Sequence, residues 1–275
     1  MPTLTVPHPN STHVTADAAD VEAAVAEGES SLSTSVGKAL ALLDAFENID
    51  TSLGVSELAR RTHLPKSTAF RLLAILEQRQ LVERQGNRYC LGSRLFELGH
   101  RVSYCRPRSL RDSAVPYMSD LYELTHETVH LGVLDGTDVL YLEKLFGHQR
   151  VKAPSAVGAR VPAYCSALGK AMLAASEPNA IGAALVRGLE PRTGYTIIAP
   201  ALFTEELATV RTRGIAFDRE ESSVGVNCVA APIHARNGRL LGAVSVCGPT
   251  GRFNPQDYVG AVLQVARGIG NSIAA

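Results

Sequence analysis

Apolar residues recur at intervals of three and four in three segments of the first third of the chain, the spacing of one face of an α-helix. The three sets are Val36, Ala39, Leu40, Leu43 and Phe46; Val55, Leu58, Ala59 and Thr62; and Ala69, Leu72, Leu73 and Leu76. They predict a first helix over roughly 35–47 and two more on either side of the break His63-Leu64-Pro65. We expect Ser56 to cap the second helix, and Pro65 suits the start of the third.

Two short helices joined by a three-residue break are typical of a helix-turn-helix. The alternating residues that follow predict a hairpin of strands 81–84 and 88–91, joined by a turn at Gln85-Gly86-Asn87. A hairpin in this place makes the helix-turn-helix winged. A further apolar stripe of Leu95, Leu98 and Val102 predicts a linker helix over 94–104.

Beyond about residue 113 the pattern changes to mixed strands and helices. One hairpin is predicted from Val129–Leu134 and Val139–Glu143, and a second from Cys228–Ala235 and Arg239–Cys247, turning at Asn237-Gly238. Helices are predicted near 166–175, near 204–213 and after Asn254-Pro255. Strict alternation of strand and helix is missing, which predicts an α+β domain with a largely antiparallel sheet.

The third helix carries the side chains that a DNA-recognition helix needs on the face opposite its apolar stripe. Arginine reads guanine edges, hydroxyl groups and a helix N-terminus bind phosphates, and apolar groups meet thymine methyls. With the two arginines that flank the wing turn, the predicted DNA-binding residues are Lys66, Ser67, Thr68, Phe70, Arg71, Arg84 and Arg88. Any amphipathic helix has a polar outer face, so the prediction depends on the three helices, the break and the basic wing together.

Charge is distributed unevenly along the chain, although the net charge is zero. Residues 1–32 hold five acidic residues and no Lys or Arg, which predicts a disordered acidic tail. Residues 33–112 hold 13 basic and 8 acidic residues, whereas 113–275 hold 14 of each. Only the basic segment therefore suits a polyanion such as double-stranded DNA.

The composition also bounds where the protein acts. No apolar run approaches the roughly 18 residues of a membrane helix, and the start MPTLTVPHPNSTHV has no secretory-signal pattern. We therefore expect a cytoplasmic protein with no membrane partner. In that reducing compartment the five cysteines are expected to be thiols.

The second hairpin predicts a patch of small side chains. If Asn237-Gly238 is a two-residue turn, Cys228 faces Cys247 and Ala230 faces Ser245, and all four share one face of the sheet. Leu, Ile or Val would normally fill such core positions, so the pattern favours room for a ligand. Small cysteines in an ordinary core remain the alternative.

Several long motifs resemble the isocitrate lyase regulator (IclR) family of bacterial transcription regulators, over roughly residues 33–272. In the DNA-binding half they are SVGKALALLDAF, VSELARRTHLPKSTAFRLLAIL and RYCLGSRLFELG. In the other half they are ETVHLGVLDGTDVLYLEK, VPAYCSALGKAMLA, FDREESSVGVNCVAAP and VSVCGPTGRF. His63 and Gln80 stand where the family commonly has glycine.

The resemblance implies an architecture and partners. It implies a sensing domain related to GAF and profilin-like folds, with one small-molecule pocket per subunit, in a homodimer or homotetramer without cofactor or enzymatic activity. The expected parts of the chain are a tail over 1–32, a winged helix-turn-helix domain over 33–93, a linker helix over 94–112 and an effector-binding domain over 113–275.

The resemblance also assigns residues to the pocket. The positions that match the family's ligand contacts are Ala167, Leu168, Asp218, Cys228, Ser245 and Cys247. The free N–H groups at the start of the helix near Ser166 favour a carboxylate, and Asp218 would face a hydroxyl or carbonyl group instead. We therefore expect a small organic acid, larger than a two- or three-carbon acid because small side chains line the site. His130 is interpreted as a structural histidine.

Three other functions are compatible with single features of the sequence. A thiol enzyme could use Cys228 and Asp218, but no nucleophile motif surrounds them. A thiol redox switch would use the facing pair Cys228 and Cys247. A metal sensor would draw on soft ligands without metal-binding spacing, namely His126, His130, His234, Cys165, Cys228 and Cys247.

Overall fold

The computed structural model describes residues 34–46, 52–105, 109–148 and 155–273. The predicted tail over 1–32 lies outside these ranges. The chain divides into two compact units, one ending at His100 and the other beginning at Arg101. In the described residues, no helix is long and apolar enough to cross a membrane.

The first unit is a winged helix-turn-helix. Its elements are α1 (Ser35–Asp44), β1 (Leu53–Gly54), α2 (Val55–Arg61), α3 (Lys66–Gln78), β2 (Val82–Gln85), β3 (Arg88–Leu91) and α4 (Ser93–Gly99). The three strands form an antiparallel sheet in the order β1-β3-β2. Leu42, Leu58, Leu73 and Val82 are almost fully buried in the core between the helices and this sheet.

The turn between α2 and α3 confirms the break that the sequence predicts. His63 has φ +54°, a left-handed conformation that histidine tolerates better than most residues with a side chain. The expected cap Ser56 is wrong, because α2 already begins at Val55, so that Ser56 lies inside the helix and Gly54 is its N-cap. Pro65 directly precedes α3 at the N-cap position.

The linker helix is shorter than the 94–104 predicted from the apolar stripe. Helix α4 ends at Gly99, and a separate 3-10 turn spans Ser103–Cys105. Phe96, Leu98 and Val102 are all exposed in the described part of the chain, so no packing within either unit extends the helix.

The second unit is a six-stranded sheet with helices on both faces. Its elements are α5 (Leu110–Thr125), β4 (Thr128–Asp135), β5 (Asp138–Leu145), β6 (Arg160–Pro162), α6 (Ala167–Ala175), α7 (Pro178–Arg187), α8 (Pro200–Arg213), β7 (Ala216–Arg219), β8 (Val226–His234), β9 (Leu240–Pro249) and α9 (Val259–Ser272). The strand order is β6-β5-β4-β9-β8-β7, and every neighbouring pair is antiparallel. The predicted α+β class is confirmed.

Alternating side chains divide the core of this unit into two layers. Cys228, Ala230 and Cys247 belong to the layer that packs against α6 and α8. Val229, Val244 and Val246 belong to the opposite layer, which packs against α5 and α9. Helix α6 is the most deeply enclosed element, since eight of its nine residues are buried.

The β8–β9 hairpin reaches the predicted pairing by a different turn. Ala235 and Arg239 bracket a three-residue loop in which Gly238 has φ +82°, a common hairpin form. His234 pairs with Leu240 and Ile233 with Gly242, so Leu241 is an extra residue that forms a β-bulge. The bulge restores the register, and Cys228 faces Cys247 as the sequence predicts.

Gly169 in α6 allows the helix to lie against the chain that precedes it. A Cβ atom here would stand 2.1 Å from the carbonyl oxygen of Ala163, which is backbone and cannot swing aside. We therefore expect Gly169→Ala to lower the free energy of unfolding of this unit by about 1–3 kcal/mol, as overpacking does. Urea denaturation measures the change.

The matched control is Gly182→Ala in α7, where a Cβ meets nothing within 4 Å. This substitution should raise stability by about 0.5–1 kcal/mol through helix propensity alone. Equal effects of the two substitutions would contradict the close approach at Gly169.

Candidate functional site

Helix α3 presents the predicted recognition face to solvent. Its buried side holds Ala69, Leu72, Leu73 and Leu76, as the periodicity predicts. Lys66, Ser67, Phe70 and Arg71 are exposed and Thr68 is half-buried. Phe70 is 51% exposed, although burial of so large an apolar ring would be the normal outcome. An apolar ring beside Arg71 suits the floor of a major groove.

The two wing arginines are exposed and partly held by the backbone. Arg84 donates from Nε to the carbonyl of Gly86 at 2.9 Å, and its guanidinium lies 5.9 Å from the centre of the Tyr89 ring. Arg88 donates from Nε to Ser52 Oγ at 2.9 Å. These contacts hold both guanidinium groups at the wing while leaving other N–H donors for a phosphate.

A small cavity lies on the α6 side of the second unit's sheet. All six predicted effector-binding residues line it, with seven more: His130, Tyr141, Ser155, Val161, Ser166, Ser222 and Val226. Its volume is about 20 Å³, a little more than the 10–15 Å³ that one water needs. In this structure the cavity is therefore smaller than the effector that the small side chains predict, so binding that effector requires side chains of the lining to move.

The start of α6 provides backbone donors at this cavity. Ser166 is the N-cap, and its hydroxyl accepts from the N–H of Gly169 at 3.0 Å. The N–H groups of Ala167 and Leu168 precede the first intrahelical hydrogen bonds, so they have no acceptor within the helix. Together with the positive end of the helix dipole, they favour a carboxylate.

Asp218 is fully buried on β7, and its carboxylate is already well hydrogen-bonded. It accepts from the backbone N–H of Glu221 at 2.7 Å, from that of Ser222 at 3.3 Å and from the Ser222 hydroxyl at 2.5 Å. Burial raises the pKa of Asp218, while the hydroxyl and N–H donors oppose that shift. The residue therefore holds the loop after β7, with little capacity left for a ligand.

A buried ion pair connects α6 to the same loop. Lys170 Nζ lies 2.6 Å from Glu221 Oε1 and 3.3 Å from Glu206 Oε1, and the lysine side chain is 1% exposed. Burial raises the pKa of Glu221, and the Lys170 ammonium opposes that effect. Removing one partner of such a pair leaves an uncompensated buried charge, so the contact between α6 and the loop after β7 is costly to break.

Cys228 and Cys247 are joined as a disulfide, with their Cα atoms 4.1 Å apart across β8 and β9. The expectation that all cysteines are thiols is therefore wrong for this pair. Sequence reasoning put both side chains on one sheet face, but their oxidation state was inferred from the compartment rather than from their distance. Cys90 and Cys165 are free, and burial raises the pKa of Cys165 to about 12.

His130 was interpreted from sequence as structural, yet it lines the cavity. The ring is 1% exposed, its Nε2 lies 2.8 Å from Ser155 Oγ, and its Nδ1 has no hydrogen-bond partner among the described residues. Alternation along β4 could have indicated this, because His130 pairs with Ser245, a predicted pocket residue. Ser155 lies in a loop, where periodicity gives no signal.

The described residues contain no group of three or more His, Cys, Asp or Glu side chains that could hold a metal ion. Both cysteines that line the cavity are disulfide-bonded, so neither is available as a thiol nucleophile. The winged helix-turn-helix of the first unit, with its exposed recognition face, defines the class of the chain as a DNA-binding transcription regulator.

Comparisons with known proteins identify the family. The family model described as bacterial transcriptional regulator IclR C-terminal matches residues 102–274, and the IclR helix-turn-helix domain model matches residues 35–86. This chain belongs to the IclR family. The regulator XynR of Escherichia coli is 33% identical over 228 residues, covering 80% of this chain and 88% of XynR.

Solved structures agree with this assignment. The Thermotoga maritima IclR structure has a TM-score of 0.74 and 31% identity, covering 87% of this chain and 98% of its own. An IclR homologue of Microbacterium hydrocarbonoxydans in complex with 4-hydroxybenzoate has a TM-score of 0.79 and 26% identity, covering 87% of this chain and 99% of its own. The relatives found are named as transcriptional regulators, in agreement with the expectation that the chain is not an enzyme.

His130 should make the second unit less stable in acid. Burial, with a smaller contribution from Lys144, lowers the pKa of His130 from 6.5 to about 3. Below pH 6.5 the His130 imidazole binds a proton in the unfolded chain but not in the folded protein. The free energy of unfolding therefore declines from pH 6.5 towards pH 3. Between pH 7.5 and 5.0 the wild type should lose on the order of 1–2 kcal/mol more than His130→Gln.

Urea denaturation at the two pH values measures this difference. An identical pH dependence in wild type and variant would show that His130 is protonated as readily in the folded protein as in the unfolded chain.

Proposed function

We propose that this IclR-family regulator binds operator DNA through α3 and the wing, and that a small organic acid in the cavity of the second unit controls its affinity for that DNA. The observation that carries the proposal is the meeting of six residues, predicted from distant segments, around one cavity at the start of α6. The complex of a relative with 4-hydroxybenzoate, an aromatic acid, supports the effector class.

The proposed mechanism is a shift between two populations. The effector binds one arrangement of the sensing domains more tightly than the other and therefore favours it. In a homodimer or homotetramer, that preference changes the spacing of paired recognition helices through the segment that contains α4. Operator affinity changes because half-sites must match this spacing.

Arg71 on the exposed face of α3 is expected to read a base edge. Arg71→Ala should weaken binding to the operator by roughly 5- to 150-fold, the cost of one bidentate guanine contact, and relax specificity at one position. Fluorescence anisotropy with operator and scrambled DNA measures both effects. The operator itself can be isolated by selection from a random DNA pool.

Arg213→Ala is the matched control, because it removes the same charge from the exposed end of α8 in the other unit. It should leave operator affinity within about twofold. Equal losses for the two variants would reduce the role of Arg71 to general electrostatic attraction.

Acids should bind at the start of α6 and their amides should not. Ala167→Pro removes one backbone N–H at the first helical position, where proline fits, and Ser166 before it already has the extended backbone that proline requires. Losing a charge-assisted hydrogen bond should weaken binding of the acid by about tenfold or more. Calorimetry with a panel of short and aromatic carboxylates and their amides measures the loss.

Ala167→Val is the control, since it adds similar bulk and keeps the N–H group. Binding of acid and amide with equal affinity, or equal losses in the two variants, would contradict a carboxylate at this helix start.

A further inference from the structure

His130 lies at the opposite end of the cavity from Asp218. It is on β4, where it faces Ser245 of β9, whereas Asp218 is on β7, three strands away in the sheet order. The Tyr141 ring packs edge-on against the His130 ring, with centroids 5.3 Å apart. The imidazole is therefore held by its neighbours, and both residues line the same cavity.

A short chain of hydrogen bonds determines which ring nitrogen carries the proton. Lys144 Nζ lies 3.0 Å from Ser155 Oγ, and Ser155 Oγ lies 2.8 Å from His130 Nε2. An ammonium group can only donate, so Ser155 accepts from Lys144. The serine hydroxyl can then donate its own proton to Nε2.

The opposite assignment leaves more polar groups unpaired. If Nε2 donated to Ser155, neither the serine proton nor the lone pair of Nδ1 would have a partner among the described residues. Each unpaired buried polar group is destabilising. The favoured state is a neutral ring with its proton on Nδ1, and burial beside Lys144, which lowers the pKa of His130 to about 3, keeps it neutral.

This assignment leaves one buried N–H group at the cavity without an acceptor. Native proteins rarely keep such a group unless a ligand or water completes it. The two ends of the cavity therefore differ. At one end His130 offers an unused donor, and at the other Asp218 already accepts three hydrogen bonds.

We propose that His130 is a specificity-determining residue whose Nδ1–H donates a hydrogen bond to the carboxylate of the effector, alongside the N–H groups at the start of α6. This inference rests on the proposed function, because it takes an acid as the effector. It also orients the effector: the carboxylate lies towards β4 and β9, and the remainder extends towards β8 and β7. The anion then lies away from the Asp218 carboxylate.

Long-range proton–nitrogen correlation spectra of the full-length protein, with ¹⁵N-labelled histidine, test the assignment directly. We expect His130 to show a protonated Nδ1 and an unprotonated Nε2 at pH 7. A protonated Nε2 would overturn the proposal. The probes added next are propionate, glycolate, benzoate and 4-hydroxybenzoate, each with its amide. An acid that binds should move the Nδ1–H signal, and its amide should move it less.

Two variants at position 130 separate the effect of the hydrogen-bond donor from the effect of side-chain packing. His130→Asn keeps an N–H donor at about the position of Nδ1, whereas His130→Leu fills a similar volume without one. For an acid that binds the wild type, His130→Leu should weaken binding about ten- to a hundredfold, and His130→Asn only a few-fold. The wild-type preference for acid over amide should fall in the leucine variant alone.

The outcomes distinguish this inference from the function on which it rests. An acid could bind and shift the Ala167 and Leu168 amide signals, yet leave the Nδ1–H signal unmoved and bind the asparagine and leucine variants with equal affinity. In that case His130 is only structural, and the proposed effector class stands. If no acid in the panel moves any cavity signal while operator binding is intact, the acid effector itself is wrong, and this inference fails with it.

Discussion

The register between β8 and β9 is the constraint on which the cavity of the second unit depends. Side chains alternate along a strand, so a slip of one residue would turn Cys228, Ser245 and Cys247 away from α6 and replace them with valines of the opposite layer. The bulge at Leu241 compensates for a turn with one residue more than the simple two-residue form. The cavity therefore exists because a local irregularity keeps this register.

Two contacts fix the position of α6 above that sheet face. Gly169 lets α6 lie against the Ala163 backbone, and Lys170 forms an ion pair with Glu221 in the loop after β7. The helix start thus faces the floor of the cavity in one geometry. Rigid placement of donors reduces the ordering that binding would otherwise require, which is how a small ligand with few contacts can still bind selectively.

Periodicity predicted α2 and α3 closely, because each has one buried stripe. It was less accurate for α1, where Val36 and Leu40 of the predicted stripe are exposed, and for α4, which has no buried residue. It was less informative in the second unit. Helix α5 was not predicted, although Ala114, Met118 and Leu121 follow helical spacing, because Pro116 lies inside it and proline normally ends a helix. Strands β6 and β7 have only three and four residues, and no short turn marks them as part of a hairpin as it does for β2 and β3.

The candidate site was predicted in part. Register placed the cysteines and Ser245 together, and the family resemblance added Ala167, Leu168 and Asp218, all of which line the cavity. The proposed role of His130 depends on its contact with Ser155 and on that of Ser155 with Lys144. These contacts join a loop to two strands, and no periodic pattern in the sequence predicts them. Cavity volume likewise depends on how α6 packs, which side-chain size alone does not determine.

The most direct test of the central claim measures operator affinity with and without a saturating acid that binds the cavity. Coupling between the two sites is reciprocal, so the factor by which the acid changes DNA affinity must equal the factor by which DNA changes acid affinity. We expect a change of about 5- to 150-fold in both titrations, the usual range of such coupling. Unchanged operator affinity at full occupancy of the cavity would contradict the account.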